Sequence, residues 1–263
     1  MTHPSLIAEY SLFLNDLQIF RDSGKIDLSN VSFIYTTRLV LLGNLLVKNP
    51  SVSYIPPKDE LVARYIYTTL SNPDTPDNRS YIPLVRLQPE PENRKEKLKR
   101  VYDIQNRKET VIGGNDAFTY VVGELVDNMY QHAKFKNGFI NGQIYPIKEF
   151  VDICFLDDGI TIQKNFVDSG ESLEPYEAIV EAINGYSTVH EPKRGFGLST
   201  SIRIFTEGLS GEVLVVSGAG AVHLAKDQVQ LYALETTEVL EGTLISIRIP
   251  YPSPSINIYP YIE

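Results

Sequence analysis

The stretch ELVDNMYQHA, from Glu124 to Ala133, contains the pattern around which the rest of the chain can be interpreted. On an α-helix, at about 100° per residue, side chains four positions apart lie on one face. Glu124, Asn128 and His132 would therefore form a polar stripe opposite an apolar one. The apolar stripe consists of Phe118, Val122, Leu125 and Met129. The pattern predicts a helix that lines a cleft, with a solvated helix face as the alternative.

Three later segments have features of a nucleotide site. The apolar run from Val151 to Leu156 predicts a buried strand that ends in two aspartates and a glycine. RGFGLSTS, residues 194–201, is a glycine-rich turn leading into a helix, and such turns offer open backbone amides to phosphate. EGTLISIRIP, residues 241–250, begins with glycine and threonine and continues as an alternating strand.

These four segments, in this order, resemble the motifs of the GHKL ATPase superfamily, which includes gyrase, the ninety-kilodalton heat-shock chaperone, histidine kinases and MutL. The resemblance extends from about Tyr81 to Tyr251. It implies an α/β fold, a two-layer α/β sandwich of the GHKL (Bergerat) type with a mixed sheet. It also implies binding of ATP together with Mg²⁺.

The resemblance implies roles for individual residues. Glu124 resembles the residue that polarises the attacking water, and Asn128 the amide that ligates magnesium. Asp157 resembles the carboxylate that accepts a hydrogen bond from the adenine amino group, and Gly159 leaves room for the ring. Thr243 resembles the hydroxyl that reaches adenine through the same water as Asp157. These residue types suit the chemistry, because Mg²⁺ prefers oxygen ligands beside substrate phosphates and a carboxylate can orient a nucleophilic water.

Phosphate contacts are expected from the glycine-rich turn. Gly195 and Gly197 resemble lid glycines whose amides meet the phosphates. Arg194 is interpreted as a phosphate ligand through a charge-assisted bond, or as a rim arginine on a mobile lid. His132 stands where several relatives have a phosphate-facing residue, with a capping or solvated histidine as the alternative. Asp127 is similar to a carboxylate beside the magnesium asparagine, or is an exposed salt-bridge partner.

The segment from Asn165 to Lys193 is predicted to form a lid that orders over bound triphosphate. Within it, Ser187 and Thr188 would contact phosphate or magnesium, or serve only as turn residues. The chain departs from the family pattern at Gly159-Ile160-Thr161, where many members have a second glycine, so a different lid hinge is expected. The adjacent Asp157 and Asp158 leave the adenine contact ambiguous, and Asp-x-Gly spacing favours Asp157.

Other nucleotide and metal sites fit the sequence less well. There is no P-loop motif, the glycines at 195 and 197 lack the third glycine of a dinucleotide fingerprint, and the four histidines do not cluster with Cys154 as zinc ligands would. With 24 basic and 33 acidic residues the net charge is −9, which argues against a general nucleic-acid binder. Residues 94–108 predict an amphipathic helix with a solvated basic face, or a binding patch.

Composition also limits the setting in which the protein is expected to act. The longest apolar run, Leu39 to Val47, contains Gly43 and Asn44, so neither secretion nor membrane spanning is indicated. A cytoplasmic location is the default expectation, and Cys154 is expected to be an inert core thiol. The tyrosine- and proline-rich tail, residues 251–263, is expected to pack along its own domain, with partner docking as the alternative.

The proline- and aspartate-rich loop from Ser71 to Arg79 predicts a boundary between a small α/β domain, residues 1–78, and the ATP-binding domain, residues 79–263. The first part shows strand-helix-strand-helix order, which predicts a small parallel βαβα unit. This unit resembles, loosely, the STAS domain of anti-anti-sigma factors over about Phe20 to Leu70. The phosphorylatable serine of that family is absent: residues 35–38 are Tyr-Thr-Thr-Arg, so the threonines are expected to cap the helix instead.

The resemblances lead to one preferred function and two alternatives. Slow ATP hydrolysis would switch the lid and thereby binding of a regulatory protein partner or homodimerisation. The alternatives are a protein serine/threonine kinase of the anti-sigma type, suggested by the STAS-like neighbour, and a nucleotide-gated binding module without turnover. A self-contained histidine kinase is not expected, because no phosphoacceptor histidine helix precedes the nucleotide-binding segments.

Overall fold

The computed structural model describes residues 4–71, 81–90, 92, 94–107, 113–186 and 197–262. The N-terminal part contains α1 (Leu6–Ser23), β1 (Lys25–Asp27), α2 (Thr36–Lys48), β2 (Ser53–Ile55) and α3 (Glu60–Ser71). The rest contains β3 (Tyr81–Leu87), α4 (Arg94–Arg107), α5 (Asn115–Asn128), β4 (Gly138–Tyr145), β5 (Phe150–Asp157), α6 (Ile162–Asp168), α7 (Pro175–Ile183), α8 (Gly197–Arg203), β6 (Glu212–Gly218), β7 (Gly220–Ala225), β8 (Gln228–Ala233), β9 (Leu240–Pro250) and α9 (Tyr259–Ile262). Two π-helical turns, Met129–Ala133 and Ile204–Gly208, continue α5 and α8.

Seven strands of the described part of the chain form one sheet in the order β3-β4-β5-β9-β6-β7-β8. Every pairing in this sheet is antiparallel. The α/β class is confirmed, but the predicted mixed sheet is wrong. The physical reason lies in the connections, because β4–β5, β6–β7 and β7–β8 are joined by turns of a few residues, whereas parallel neighbours need a crossover of about a dozen residues.

The sheet is covered on both faces. Helices α4, α5, α7 and α8 pack on one face, which supplies the two predicted layers. Helices α1 and α2 pack on the other face, so the N-terminal unit adds a third layer and shares a core with the sheet. All eight residues of β5 are buried, as expected for a strand covered on both sides. The predicted division into residues 1–78 and 79–263 falls in a stretch, residues 72–80, outside the described residues, and stays a prediction.

The N-terminal unit has the predicted βαβα order, and β1 and β2 pair in parallel. Its strands are shorter than expected, with only Lys25–Asp27 of the stretch 25–35 in a strand. The predicted threonine cap is wrong. The N-cap of α2 is Tyr35, which makes no side-chain cap bond, whereas Thr36 and Thr37 are fully buried and Thr37 Oγ1 lies 2.6 Å from Ser246 Oγ. The threonines face the sheet because α2 is buried against it.

Several local expectations are confirmed. Helix α4 covers most of the predicted amphipathic segment, and Leu98 and Val101 face the core. Cys154 is buried, and burial raises the pKa of its thiol well above the usual value. The tail packs along its own chain, since Ile256 N donates to Gly113 O and Tyr261 packs against the core. Within the described ranges, none of the helices combines the length and the apolar character that crossing a membrane requires.

Candidate functional site

The candidate site begins where the apolar face of the sheet under α5 ends in a polar row. Across the three central strands β5, β9 and β6, the residues on this face pair in cross-strand rows. The rows are Ile153, Ile247 and Val213, then Phe155, Ile245 and Val215, and finally Asp157, Thr243 and Ser217. The last row is flanked by Gly138 of β4 and Gly220 of β7, which present no side chain. A carboxyl and two hydroxyl groups therefore lie side by side at one end of the sheet.

Asp157 is almost completely buried, with 4% of its surface exposed. Burial raises the pKa of its carboxyl to about 7, and the negative charge of Asp158 adds to this effect. Hydrogen bonds from the backbone amides of Gly159 and Thr243, and the charge of Lys48, act in the opposite direction. Gly159 N lies 2.9 Å from Asp157 Oδ1. The balance leaves a carboxyl that changes protonation near neutral pH.

The neighbouring Asp158 has a structural role. Its Oδ1 accepts hydrogen bonds from the backbone amides of Lys136 and Asn137, at 2.8 and 2.7 Å, and its Oδ2 accepts one from Asn137 Nδ2 at 2.8 Å. These bonds hold the loop before β4 and lower the pKa of the Asp158 carboxyl. Of the two adjacent aspartates, Asp157 lies in the polar row, and its predicted contact with adenine stays a prediction.

The end of β5 touches the end of α5. A Cβ atom on Gly159 would lie 2.0 Å from the carbonyl oxygen of Ala133, so only glycine permits this approach. Ile160 N donates to the same carbonyl at 2.6 Å. The contact therefore brings the loop that follows Asp157 against the π-helical turn that follows Asn128.

On α5, the start of α8 packs directly against Glu124 and Asn128. A Cβ atom on Gly197 would lie 2.2 Å from Glu124 Oε2 and 3.6 Å from Asn128 Nδ2. Burial and the charge of Asp127 raise the pKa of the Glu124 carboxyl. Asn128 Nδ2 is buried and has no hydrogen-bond partner among the described residues. The structure thus places Gly197 beside Glu124 and Asn128, and the ligand contacts predicted for these three residues stay predictions.

His132 does not simply extend this stripe. The chain changes from α- to π-helical geometry at Met129, so the four-residue spacing that placed His132 in line with Asn128 no longer applies. Burial lowers the pKa of the His132 imidazole, and Asn165 Nδ2 lies 3.4 Å from the His132 carbonyl oxygen. Asp127 is a salt-bridge partner, which was the alternative interpretation of this residue. Its carboxylate bonds to Arg94, whose guanidinium lies 4.9 Å from the Tyr130 ring centroid.

Part of the predicted phosphate-binding segment lies outside the described residues. This applies to Arg194 and Gly195 and to Ser187 and Thr188, so their predicted contacts stay predictions. Residues 187–193 lie outside the described residues as well, so the expectation that residues 165–193 form a lid over bound triphosphate stays a prediction. Residues up to 183 contain most of α6 and all of α7, whose Phe166, Ala178 and Ile179 are buried against the rest of the protein. Both helices have an apolar face, and burial of that face holds them in place.

Two residues near the site were not anticipated. Ser217 ends the apolar run Val213–Val216, and a polar residue at the end of a buried strand is the signal that would have identified it. Lys48, at the end of α2, forms a 2.7 Å ion pair with Glu241, two residues before Thr243. Its charge also lowers the pKa of the carboxyls of Asp157 and Asp158. No local pattern indicates the position of Lys48, because its approach depends on packing of the N-terminal unit against the sheet.

Comparison of the sequence with protein-family models gives no match, and comparison with curated proteins gives no significant match. The described residues contain no group of three or more histidine, cysteine, aspartate or glutamate side chains arranged to hold a metal ion. The two features on which a functional proposal can be based are therefore the polar row Asp157, Thr243 and Ser217 and the cluster of Glu124, Asn128 and Gly197.

Proposed function

We propose that this protein binds Mg-ATP in the manner of the GHKL superfamily, hydrolyses it slowly, and uses the nucleotide state to control binding of a regulatory partner. One observation carries the proposal. The contact between Gly159 and Ala133 brings the loop that follows Asp157 of the polar row against the π-helical turn that follows Asn128 of α5. A purine at the row and phosphates at the stripe would then belong to a single ligand.

The polar row suits the recognition of a base. Asp157 in its ionised form accepts hydrogen bonds only, and a buried carboxylate paired with an amino group makes a strong charge-assisted bond. Thr243, half-buried beside it, adds a hydroxyl that a ligand can reach. Apolar side chains of the preceding row, such as Phe155 and Ile245, lie next to this edge. This combination of a few polar groups with apolar walls is typical of ligand sites.

The stripe of α5 suits phosphate and metal binding. Asn128 would ligate Mg²⁺ through its amide oxygen, and its unpartnered Nδ2 atom would donate to a phosphate oxygen. A single protein ligand can suffice for such a site, because Mg²⁺ bound with a nucleotide keeps waters and phosphate oxygens as its other ligands. The ion would supply positive charge against the phosphates. Glu124, whose carboxyl has a raised pKa, is suited to orient a water and accept its proton.

Binding is tested by titrating ATP and Mg²⁺ into wild-type protein and into the Asp157→Asn variant. Loss of a hydrogen bond to a charged group costs about 1.5 to 3 kcal/mol, so binding should weaken about 10- to 100-fold. The control is Asp227→Asn, a matched change in the turn between β7 and β8, where φ is +62° and asparagine is well tolerated. Equal affinities of wild type and Asp157→Asn would contradict the proposed base contact.

Turnover is tested separately by phosphate release. Glu124→Gln should reduce release at least about 100-fold while ATP binding changes little, because general-base catalysis contributes roughly 10²- to 10⁴-fold. Glu60→Gln, an exposed change in the first turn of α3, is the control. Transfer of labelled γ-phosphate to a second protein would instead favour the anti-sigma type of kinase. Tight binding without release or transfer would favour the nucleotide-gated module.

A further inference from the structure

Ser217 is completely buried, and its hydroxyl oxygen lies within hydrogen-bonding distance of three groups. These are the backbone amide of Ile162 at 2.9 Å, the carbonyl oxygen of Gly242 at 3.1 Å and the hydroxyl of Thr243 at 2.9 Å. A serine hydroxyl has one proton to donate and two lone pairs to accept with. The three contacts match this capacity, so the direction of each bond can be assigned.

Two of the three directions follow from the partners. An amide can only donate, so Ile162 N occupies one lone pair of Ser217. A carbonyl oxygen can only accept, so Gly242 O takes the single Ser217 proton. The remaining lone pair of Ser217 must accept from the Thr243 hydroxyl. The proton of Thr243 therefore points at Ser217, and its oxygen presents only lone pairs elsewhere.

Thr243 is the partly exposed member of the row, whereas Ser217 and Asp157 are buried. A ligand bound at this end of the sheet would therefore contact the lone pairs of the Thr243 hydroxyl oxygen. The neighbouring Asp157 carboxylate also accepts. Two adjacent acceptors favour a ligand edge that carries hydrogen-bond donors and disfavour one that carries an oxo group, because two lone pairs facing each other leave both without a proton.

We propose that Ser217 is a positioning residue that fixes the Thr243 hydroxyl as an acceptor, and that the row thereby selects a 6-amino purine over a 6-oxo purine. The inference rests on the proposed nucleotide function and assigns base selectivity within it. Ser217 itself does not touch the base. Removing it frees the Thr243 proton, which can then turn toward a ligand and donate to an oxo group.

The experiment compares ATP and inosine triphosphate, which differ at purine position 6, by binding titration with wild type, Ser217→Ala, Thr243→Val and the double variant. Ser217→Ala should weaken ATP binding about 3- to 10-fold, the size of one net hydrogen bond, without weakening inosine triphosphate binding. The ratio of the two affinities should fall accordingly. In the Thr243→Val background, Ser217→Ala should have no further effect on the ratio, because it acts only through Thr243.

Ser246→Ala is the matched control. Ser246 is a buried serine on β9 that bonds to a threonine, Thr37, on the opposite face of the sheet. It should reduce stability as Ser217→Ala does and leave the affinity ratio unchanged. If Ser217→Ala fails to fold, Thr243→Val still tests the proposal, because an unchanged affinity ratio in that variant would overturn it.

The outcomes separate the two proposals. Wild type that binds ATP, with an affinity ratio unaffected by a folded Ser217→Ala variant, would overturn the role of Ser217 and leave the proposed function standing. Additive effects of the two substitutions on the ratio would also overturn it. Wild type that binds neither nucleotide would overturn the proposed function, and the inference on Ser217 with it.

Discussion

The three central strands carry two polar rows, and their environments differ. Asp157, Thr243 and Ser217 lie at one end of the sheet on the face under α5, whereas Asp152, Arg248 and Glu212 lie toward the other end on the opposite face. In the second row, Arg248 forms bonds of 2.7 and 2.8 Å with Asp152 and also bonds to Glu9 of α1. Glu212, 3.6 Å from Arg248, is itself 2.8 Å from His223.

The second row brings opposite charges together under a covering helix, so it attaches α1 to the sheet. In the first row, the carboxyl of Asp157 is buried and forms no salt bridge with any of the described residues. The middle residue of this row, Thr243, is partly exposed. Polar character in the middle of a sheet does not by itself indicate a binding site. What distinguishes the two rows is whether the protein itself supplies the partner for the charge.

The largest effect is expected on the free energy of unfolding, when a substitution removes the cation of the second row. Arg248→Met leaves the Asp152 carboxylate buried without its cation, and removing one partner of a buried ion pair costs about 3 to 5 kcal/mol. Urea unfolding should measure this loss, and ATP affinity per folded molecule should not change. Arg203→Met, at a pair with Glu207 that is about half exposed, should cost less than about 1 kcal/mol. Equal losses for the two variants would contradict the structural role of the row.

The second expectation is a pH dependence of stability. Burial and the charge of Asp152 raise the pKa of Glu9 from 4.5 to about 8, so the folded state retains a proton that the unfolded state releases between these values. Stability should therefore fall as pH rises from about 4.5 to about 8. The bond to Glu212 raises the pKa of His223, whose contribution is complete below pH 6.5 and is lost as pH rises through the folded value.

Both groups act in the same direction, and the free energy of unfolding should be lower at pH 8.5 than at pH 5.5 by roughly 3 kcal/mol or more. Glu9→Gln should reduce this difference, because a glutamine releases no proton. Stability that rises over this range would contradict the assignment. The pKa of Asp157 is raised to about 7, so its carboxyl also makes stability fall as pH rises from 3.8 to 7. Asp157→Asn would remove this contribution.

The third expectation concerns ligand binding at the first row. Asp157 is ionised above about pH 7 and protonated below it, and only the ionised carboxylate presents acceptors alone. ATP affinity should weaken below pH 7 by up to about tenfold per pH unit. The same titration with Asp157→Asn should lack the step that belongs to the protein, which separates it from protonation of the nucleotide. A step of unchanged size in this variant would contradict the role of Asp157.

The smallest expected effect compares two glycines beside the stripe of α5. Gly197→Ala brings a methyl group against the Glu124 carboxylate, which must shift, so phosphate release should fall severalfold while ATP binding changes less. Gly123→Ala is the matched control, because no atom lies within 4 Å of the added Cβ. In a helix interior this change should stabilise by about 0.5 to 1 kcal/mol. Equal phosphate release in the two variants would contradict the assignment of Gly197 to the site.

Local sequence patterns predicted much of the fold and part of the candidate site. Periodicity predicted the stripe on α5, the buried strand ending at Asp157 and the βαβα order of the N-terminal unit. These predictions were possible because helical and strand periodicities depend only on residues close together in the sequence. The π-helical turn at His132 was not predicted, because the residues there are equally compatible with an uninterrupted α-helix.

Sequence patterns by themselves indicated helix α5, strand β5 and the βαβα order of the N-terminal unit, and they placed Glu124 and Asn128 on one face of α5. Tertiary structure alone decided that the sheet is antiparallel, that α1 supplies Glu9 to Arg248, and that Ser217 meets Thr243. The physical reason is that strand order, cross-strand register and hydrogen-bond direction depend on residues far apart in the chain, and these meet only when the core packs.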